Sequence, residues 1–531
     1  MKNKYLLLML SAILSSCSLL PASSSNQDSL TSSSINSSSD SIKGSSSSSS
    51  SSSGKIDDDI FSNPALKNSE EYLSFWSNSS LINISLSFSA ESAKAIEDNG
   101  KSDSKTQDYY FPCDVIFTVN NKTYTFNEVG ARRKGNLSKG DNFNNGKIHY
   151  KLSFKETFDD DFYKTTYPSF YHDWSNDSSG RTTRKDRTFL DMEKLDLKWN
   201  RNEDETYIRQ SYTNYIFKKA GLICPNNNLA RVDIKINNEV TVSQEIYDVI
   251  EAMDKIKIKR YFNKNTSKGD LYKLTYNSVG KADFNISNVL NGSSINTRYV
   301  GVEDNSMLYT PVYDLKTNKK DSNHEDLINF VKVLNNDKSD ASSFSKTITA
   351  LLDPTYISIY NAYSWAVGDP DDLRCNYNNA YLYFDSVNHR AYFIPYDHDR
   401  SLGVSKDGRG LMPARRLTTT KCTGYSGDSY QTNPLFWRSC IIADKNDTSS
   451  GNLSSSYPLC DNLKEELKKQ FLLLKENDIF KPESFNNYIN ENPIAKELNV
   501  NSDSKRVNNS YQEYYDNLLK MFEEDNSYLL A

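Results

Sequence analysis

A Ser-dominated stretch over residues 22–54, with an unbroken run from Ser45 to Ser53, limits where this chain can fold. Such a segment cannot bury enough apolar surface to offset the entropy of ordering it. It is expected to be a flexible tether, with a glycosylated stalk as the alternative. Any core must therefore come from residues 55–531.

The segment ahead of the tether is short and asymmetric. Lys2 and Lys4 precede the apolar run YLLLMLSAIL, which is too short to cross a bilayer and has the pattern of a secretory signal. It ends in Leu14-Ser15-Ser16-Cys17, which resembles a bacterial lipobox. The resemblance implies cleavage ahead of Cys17 and a lipid on its thiol. The expected organisation is a signal peptide at 1–16, a lipidated Cys17 with its tether to 54, and one folded domain from 55 to 531. The protein would then be exported and lipid-anchored to the outer face of a bacterial cell membrane.

Composition excludes some functions. Net charge is -6 with both signs interspersed, so there is no basic footprint for nucleic acid. Beyond Cys17, the six cysteines form no C-x-x-C, and the five histidines form no H-x-x-x-H pair, so neither a cysteine-type zinc site nor a zincin is supported. Disulfides are open to an exported chain, but no pairing follows from the sequence.

From about residue 75 the pattern is α+β. LINISLSFSA, CDVIFTVNNKTYTFNEVGARRKG and KIHYKLSFKETF alternate as strands do, and Asn120-Asn121 and Asn237-Asn238 are hairpin turns. Asp353-Pro354 starts a helix that Gly368 can end. Residues 262–345 read as polar and insertion-like apart from GDLYKL and EDLINFVKVLN. From about 455 the periodicity is helical.

Chemistry concentrates between 368 and 403. The strands AYLYFD and AYFIPY flank SVNHR and run into Asp397-His398-Asp399. With the turn centred on Asn388, Asn379 and Asp397 are expected to face each other at the open end, close enough to share an ion. Asp371 precedes them on a polar loop. An acid, an Asn, a hairpin and a second acid is also the order of parts in protein kinases, although HRD and DFG are absent here. Alternation turns His398 away from the two carboxylates, so an exposed or structural place suits it better than a ligand's.

Several further stretches complete the pattern: GARRKGNLS (130–138), KIHYKLSFK (147–155), LDLKWN, YIRQ, INNEVTVSQEIYDVIEAMDK, GDLYK (269–273), GDPDD…NNAYLY and IPYDHDRSLG. In this order they resemble the CotH family of atypical kinases across residues 75–525. Four positions depart from the family pattern: Asp369 stands where it has Asn, Pro370 where it has Trp, Ser153 where a second Lys often stands, and His398 where it has an apolar residue.

The resemblance implies an atypical protein-kinase-like fold, with a β-rich N-terminal half, a helical C-terminal half and ATP in the cleft between them. It implies Asp371 as the catalytic-loop Asp that polarises or orients the acceptor hydroxyl, and Asn379, Asp397 and Asp399 as ligands of Mg2+ or Mn2+. Arg132, Lys134, Asn136, Lys147 and Lys151 would meet the phosphates, Lys151 foremost, and Glu251 belongs to the same nucleotide set. The implied partners are ATP and an exported protein substrate. Two other readings stay open: a non-catalytic surface scaffold on the same shell, and a glycosidase with paired carboxylates, which the Asp–Asn–Asp arrangement suits less well.

Overall fold

The computed structural model describes residues 60–101, 109–135, 138, 141–200, 204–303, 309–336, 340–403, 461–501 and 504–529. The signal segment, Cys17, the serine tether, Asn136, Cys422, Cys440 and Cys460 lie outside the described residues.

Alternating apolar positions build the N-terminal part. In β1 (Ile82–Phe88), Ile82, Ile84, Leu86 and Phe88 point inward while the residues between them stay partly exposed. The same alternation recurs in β2 (Phe111–Val119). With β3 (Lys122–Arg133), β4 (Tyr150–Ser153), β5 (Lys194–Trp199), β6 (Asn227–Ile236) and β7 (Glu239–Glu251), these form a closed barrel ordered β1-β2-β3-β4-β5-β7-β6. Parallel pairing of β1 with β6 closes it and removes the free edges. Both Asn-Asn turns form as read: Asn120 and Asn121 have φ of 47° and 71°, Asn237 and Asn238 of 51° and 67°. Those positive values are what a two-residue hairpin requires.

The second half is mixed. β8 (Leu271–Leu274) runs in a five-stranded sheet with β11 (Val300–Gly301), β12 (Tyr313–Leu315), β13 (Ala380–Phe384) and β14 (Ala391–Pro395), in the order β11-β12-β8-β13-β14. A two-stranded ribbon, β9 (Leu290–Asn291) with β10 (Ser294–Ile295), lies beside it in sequence. Three of the five strands thus come from 262–345: β8 falls in the GDLYKL stretch set apart there, and β11 and β12 correct the insertion-like reading of the rest. All three are only two to four residues long, too short to show period-two alternation in sequence.

Helix Pro354–Val367 packs behind this sheet. Asp353 caps it by accepting from the Tyr356 amide, and Gly368 ends it at φ 65°. Every side chain from Tyr356 to Val367 is buried, so the helix is central rather than amphipathic. Trp365 is core, 4.5 Å from the Phe471 ring and 4.9 Å from Phe522. Helices Asp461–Lys475, Pro482–Glu491, Pro493–Asn501 and Ser504–Leu529 complete this half. Cys113, Cys224 and Cys375 are buried thiols.

Candidate active site

Strand register places the charged residues of the barrel. Across β3, β4 and β5, Arg132 is opposite Lys151, and Lys151 is opposite Asp196. On β5, Lys198 is opposite Asp248 of β7. Side chains two apart share a face, so Arg132 and Lys134 lie with Lys151, Asp196 and Lys198 on one side of the barrel wall. Their neighbours Ala131, Tyr150, Leu152, Leu195 and Leu197 fill the interior. One strip of wall therefore carries four cations around a buried carboxylate.

Asp196 organises this strip. Its oxygens lie 3.1 Å from Lys151 Nζ and 3.7 Å from Lys134 Nζ, and it accepts a hydrogen bond from Tyr396 Oη at 3.2 Å. Burial raises the Asp196 carboxyl, but the ammonium groups of Lys151 and Lys134 outweigh it and hold the group below its usual range. Tyr396 also presents its ring to Lys134 at 5.4 Å and to Lys273 of β8 at 5.7 Å. Burial, then the Lys134 and Lys316 charges, push Lys273 down to about 8.

The opposing wall comes from the β13–β14 hairpin. Ala380 pairs with Pro395, so Asn379 faces Tyr396 rather than Asp397, a one-residue correction to the expected register. The turn is an even loop closed by the Asp385–Arg390 pair, with its centre between Val387 and Asn388. The Asp385 carboxylate holds it by accepting from the amides of Val387, Asn388 and Arg390. Such a slip would ordinarily turn a side chain to the other face. Here both strand ends break the pleat, with Asn379 at φ 54° and Asp397 at φ 61°. The two residues still meet: Asn379 Nδ2 is 3.5 Å from the Asp397 carbonyl and donates to Asp371 Oδ2 at 3.2 Å. Asn376 Nδ2 donates to the other Asp371 oxygen at 2.5 Å.

Lys198 joins the two walls. Its ammonium pairs with Asp397 Oδ1 and lies 2.7 Å from Asp399 Oδ2. Against the effect of burial, the Lys198 and Lys134 charges hold Asp397 far below the carboxylate range. Burial, and then the neighbouring Asp397 charge, keep Asp399 raised despite Lys198. Burial and the adjacent Asp369 charge push Asp371 up to about 6.

The structure thus brings Lys134, Lys151, Asp397, Asp399, Asn379 and Asp371 into one contiguous set. Arg132 shares the strip, with its guanidinium 5.2 Å from the Tyr110 ring. Lys147 instead pairs with Glu245 at 2.8 Å and covers the Trp199 ring. Glu251 lies in a different network, accepting from Tyr72 Oη at 2.7 Å, Asn226 Nδ2 at 2.8 Å and Lys257 Nζ at 2.7 Å. None of these partners belongs to the cluster. Asp196, Lys273 and Tyr396 escaped sequence reasoning, and Lys198, which the sequence suggests as a partner of helix acids, pairs instead with Asp397 and Asp399. Period-two spacing from Lys151's partner strand could have flagged Asp196 and Lys198 together.

Two carboxylates and an amide oxygen are hard donors suited to Mg2+ or Mn2+. Asp397 and Asp399 already share one cationic group, which fits a place built for positive charge. Among the described residues searched, no three His, Cys, Asp or Glu side chains form a ready metal cluster. The set here relies on Asn379 for its third ligand.

A sequence model of the CotH kinase protein family matches residues 166–529 of the chain. The match takes in β5 through β14 and the acidic wall, while β3 and β4, with Arg132, Lys134 and Lys151, lie ahead of it. No curated protein matches the chain.

Proposed function

The chain belongs to the CotH kinase family, and from that premise we propose that it transfers the γ-phosphate of ATP to a hydroxyl of an exported protein, using Mg2+ or Mn2+. The observation that carries this reading is the pair of facing walls, lysines on the barrel and carboxylates on the hairpin, tied at Lys198. Phosphoryl transfer needs positioning and charge neutralisation more than covalent help from the protein.

Asp371 receives the proton of the acceptor hydroxyl as its oxygen bonds to the γ-phosphorus. The bond to the β–γ bridging oxygen breaks, and ADP leaves with that oxygen. A carboxyl poised at about 6 is ionised at neutral pH yet basic enough for this task. Asn376 and Asn379 fix its orientation. Asn379, Asp397 and Asp399 would hold the metal, which supplies neutralisation of phosphate charge. Lys134, Lys151 and Lys198 supply the remaining positive charge, with Arg132 beside them. The signal segment, Cys17 and the serine tether support an exported, lipid-anchored location for this chemistry.

A second reading is a binding module on a kinase shell. It is favoured by one observation: Lys198 already neutralises the acid pair. Incubating the full chain with γ-labelled ATP and Mg2+ or Mn2+, beside Asp397→Ala, separates the two. Label on the chain or a generic protein acceptor, lost in the variant, supports the kinase. No label from a folded chain, whether or not it binds nucleotide, overturns the kinase and supports the module.

A further inference from the structure

Behind the acidic wall lies a buried pair that the chemistry above does not use. Asp369 follows the helix-ending Gly368, and His398 sits between Asp397 and Asp399. His398 Nδ1 is 3.0 Å from Asp369 Oδ2, with the two side chains 1% and 0% exposed. The other carboxylate oxygen, Asp369 Oδ1, accepts the backbone N–H of Asp371 at 2.8 Å. One carboxylate therefore joins the loop that carries Asp371 to the loop that carries Asp397 and Asp399.

The imidazole is held for that single bond. Its Nε2 is buried without a hydrogen-bond partner, and its face packs on Phe217 with ring centroids 5.0 Å apart. Leaving a buried nitrogen unsatisfied is unfavourable, so the ring's position is explained by Nδ1 and the apolar contact alone. Asp369 as acceptor fixes Nδ1 as the donor. The loop around His398 is itself tied down. Its carbonyl accepts from Ser401 Oγ at 2.8 Å, Ser401 meets Thr213 Oγ1 at 2.6 Å, and the Leu402 amide donates to Val367 at the helix end.

Asp369 and His398 are two of the four positions where the sequence departs from the family pattern it otherwise resembles, the others being Pro370 and Ser153. The structure puts Asp369 and His398 in contact. A buried carboxylate introduced alone would be an unpaired charge, and the histidine pairs it.

We infer that the Asp369–His398 pair is a positioning device. It fixes the separation of Asp371 from Asp397 and Asp399, and so the spacing between the group that accepts the hydroxyl proton and the groups that hold the metal. Neither residue is catalytic, since neither touches the cleft face of the cluster; both act through Asp371 and Asp397. The inference rests on the kinase reading for its effect on turnover, but not for its effect on the backbone.

The test is a double-mutant cycle in the full chain: His398→Leu, Asp369→Asn, and the double variant. His398→Leu leaves Asp369 buried and unpaired. Pairs in direct contact are non-additive, so turnover should drop about tenfold or more in His398→Leu and fall no further in the double variant, where the link between the two loops is already gone. The dissociation constant for ATP should move little, because the cationic strip is untouched. A fold defect alone would lower melting temperature and ATP affinity together. Turnover losses that simply multiply in the double variant would overturn the inference.

Amide hydrogen exchange at Asp371 provides the readout independent of activity. It should accelerate in His398→Leu and by a similar factor in the double variant. If the parent protein shows no turnover, the kinase reading fails and exchange alone decides the strap. Unchanged Asp371 exchange in His398→Leu would overturn the strap even where the kinase assay succeeds.

Discussion

Lys198 Nζ lies 2.7 Å from Asp399 Oδ2 while the same ammonium pairs with Asp397. A barrel strand and a hairpin end 199 residues further along the chain are thereby held by one shared proton-bearing group. Two carboxylates this close repel each other unless a cation lies between them. Lys198 and a divalent metal are therefore competitors for one position.

Lys198→Ala should change metal binding before it changes anything else. Without nucleotide, Mn2+ titration should show about tenfold tighter binding to the variant, since no ammonium has to be displaced. In metal-free buffer the variant should be less stable by about 1–3 kcal/mol, because the acid pair keeps its charge and loses its counter-ion. Added Mn2+ should raise its melting temperature more than the parent's. Equal Mn2+ affinity in the two proteins would rule out competition.

Asp371 gives a pH signature. For a base with a value of about 6, turnover should rise with pH up to that point and level off above it. The stability effect has the opposite sign. Asp371 holds its proton more tightly folded than unfolded, so its penalty is absent below the unfolded value near 4. It grows as pH rises and is complete above about 6. Asp371→Asn should thus abolish turnover, yet melt higher than the parent at pH 7 by roughly 1 kcal/mol of stability and no higher at pH 4. A variant that is equally stabilised at both pH values would refute this assignment.

Glu251 separates structure from chemistry. Its carboxylate is 2% exposed, as is Lys257 beside it, and it also meets the Arg260 guanidinium at 3.6 Å. Removing one member of such a network leaves buried charge uncompensated, at about 3–5 kcal/mol. Glu251→Ala should lower the unfolding free energy, read by denaturant titration, by that amount while the folded fraction binds ATP with unchanged affinity. An affinity loss with normal stability would return Glu251 to the nucleotide set.

How much of this was legible depends on how local each signal is. The Asn-Asn hairpins and the Asp353–Gly368 helix were readable because a few adjacent residues dictate their backbone. Asn379 and Asp397 could be brought together on paper because a hairpin links close neighbours in sequence. The register was off by one because Asp385 draws three amides around a loop centred between two residues, which no spacing rule reveals. Closure of the barrel depends on a parallel pairing of β1 with β6, and Lys198 meets Asp399 only through the assembled fold. Asp369 and His398 were visible as departures, but not as departures that touch.

Lys147 and Lys151 stand four residues apart, and sequence alone put both near the phosphates. Their partners now distinguish them. Lys151 faces the buried Asp196 beside Lys134, on the side of the wall turned to Tyr396, whereas Lys147 is neutralised by Glu245 on β7 and rests over Trp199. A charge-assisted contact to phosphate contributes about 1.5–3 kcal/mol, and a half-exposed ion pair at most about 1 kcal/mol. Lys151→Ala should therefore weaken ATP binding about tenfold or more, and Lys147→Ala less than about threefold. Calorimetric titration of ATP into each variant checks the order. The reverse order would move the triphosphate to the Trp199 side of the barrel and, with it, the assignment of the whole cationic strip.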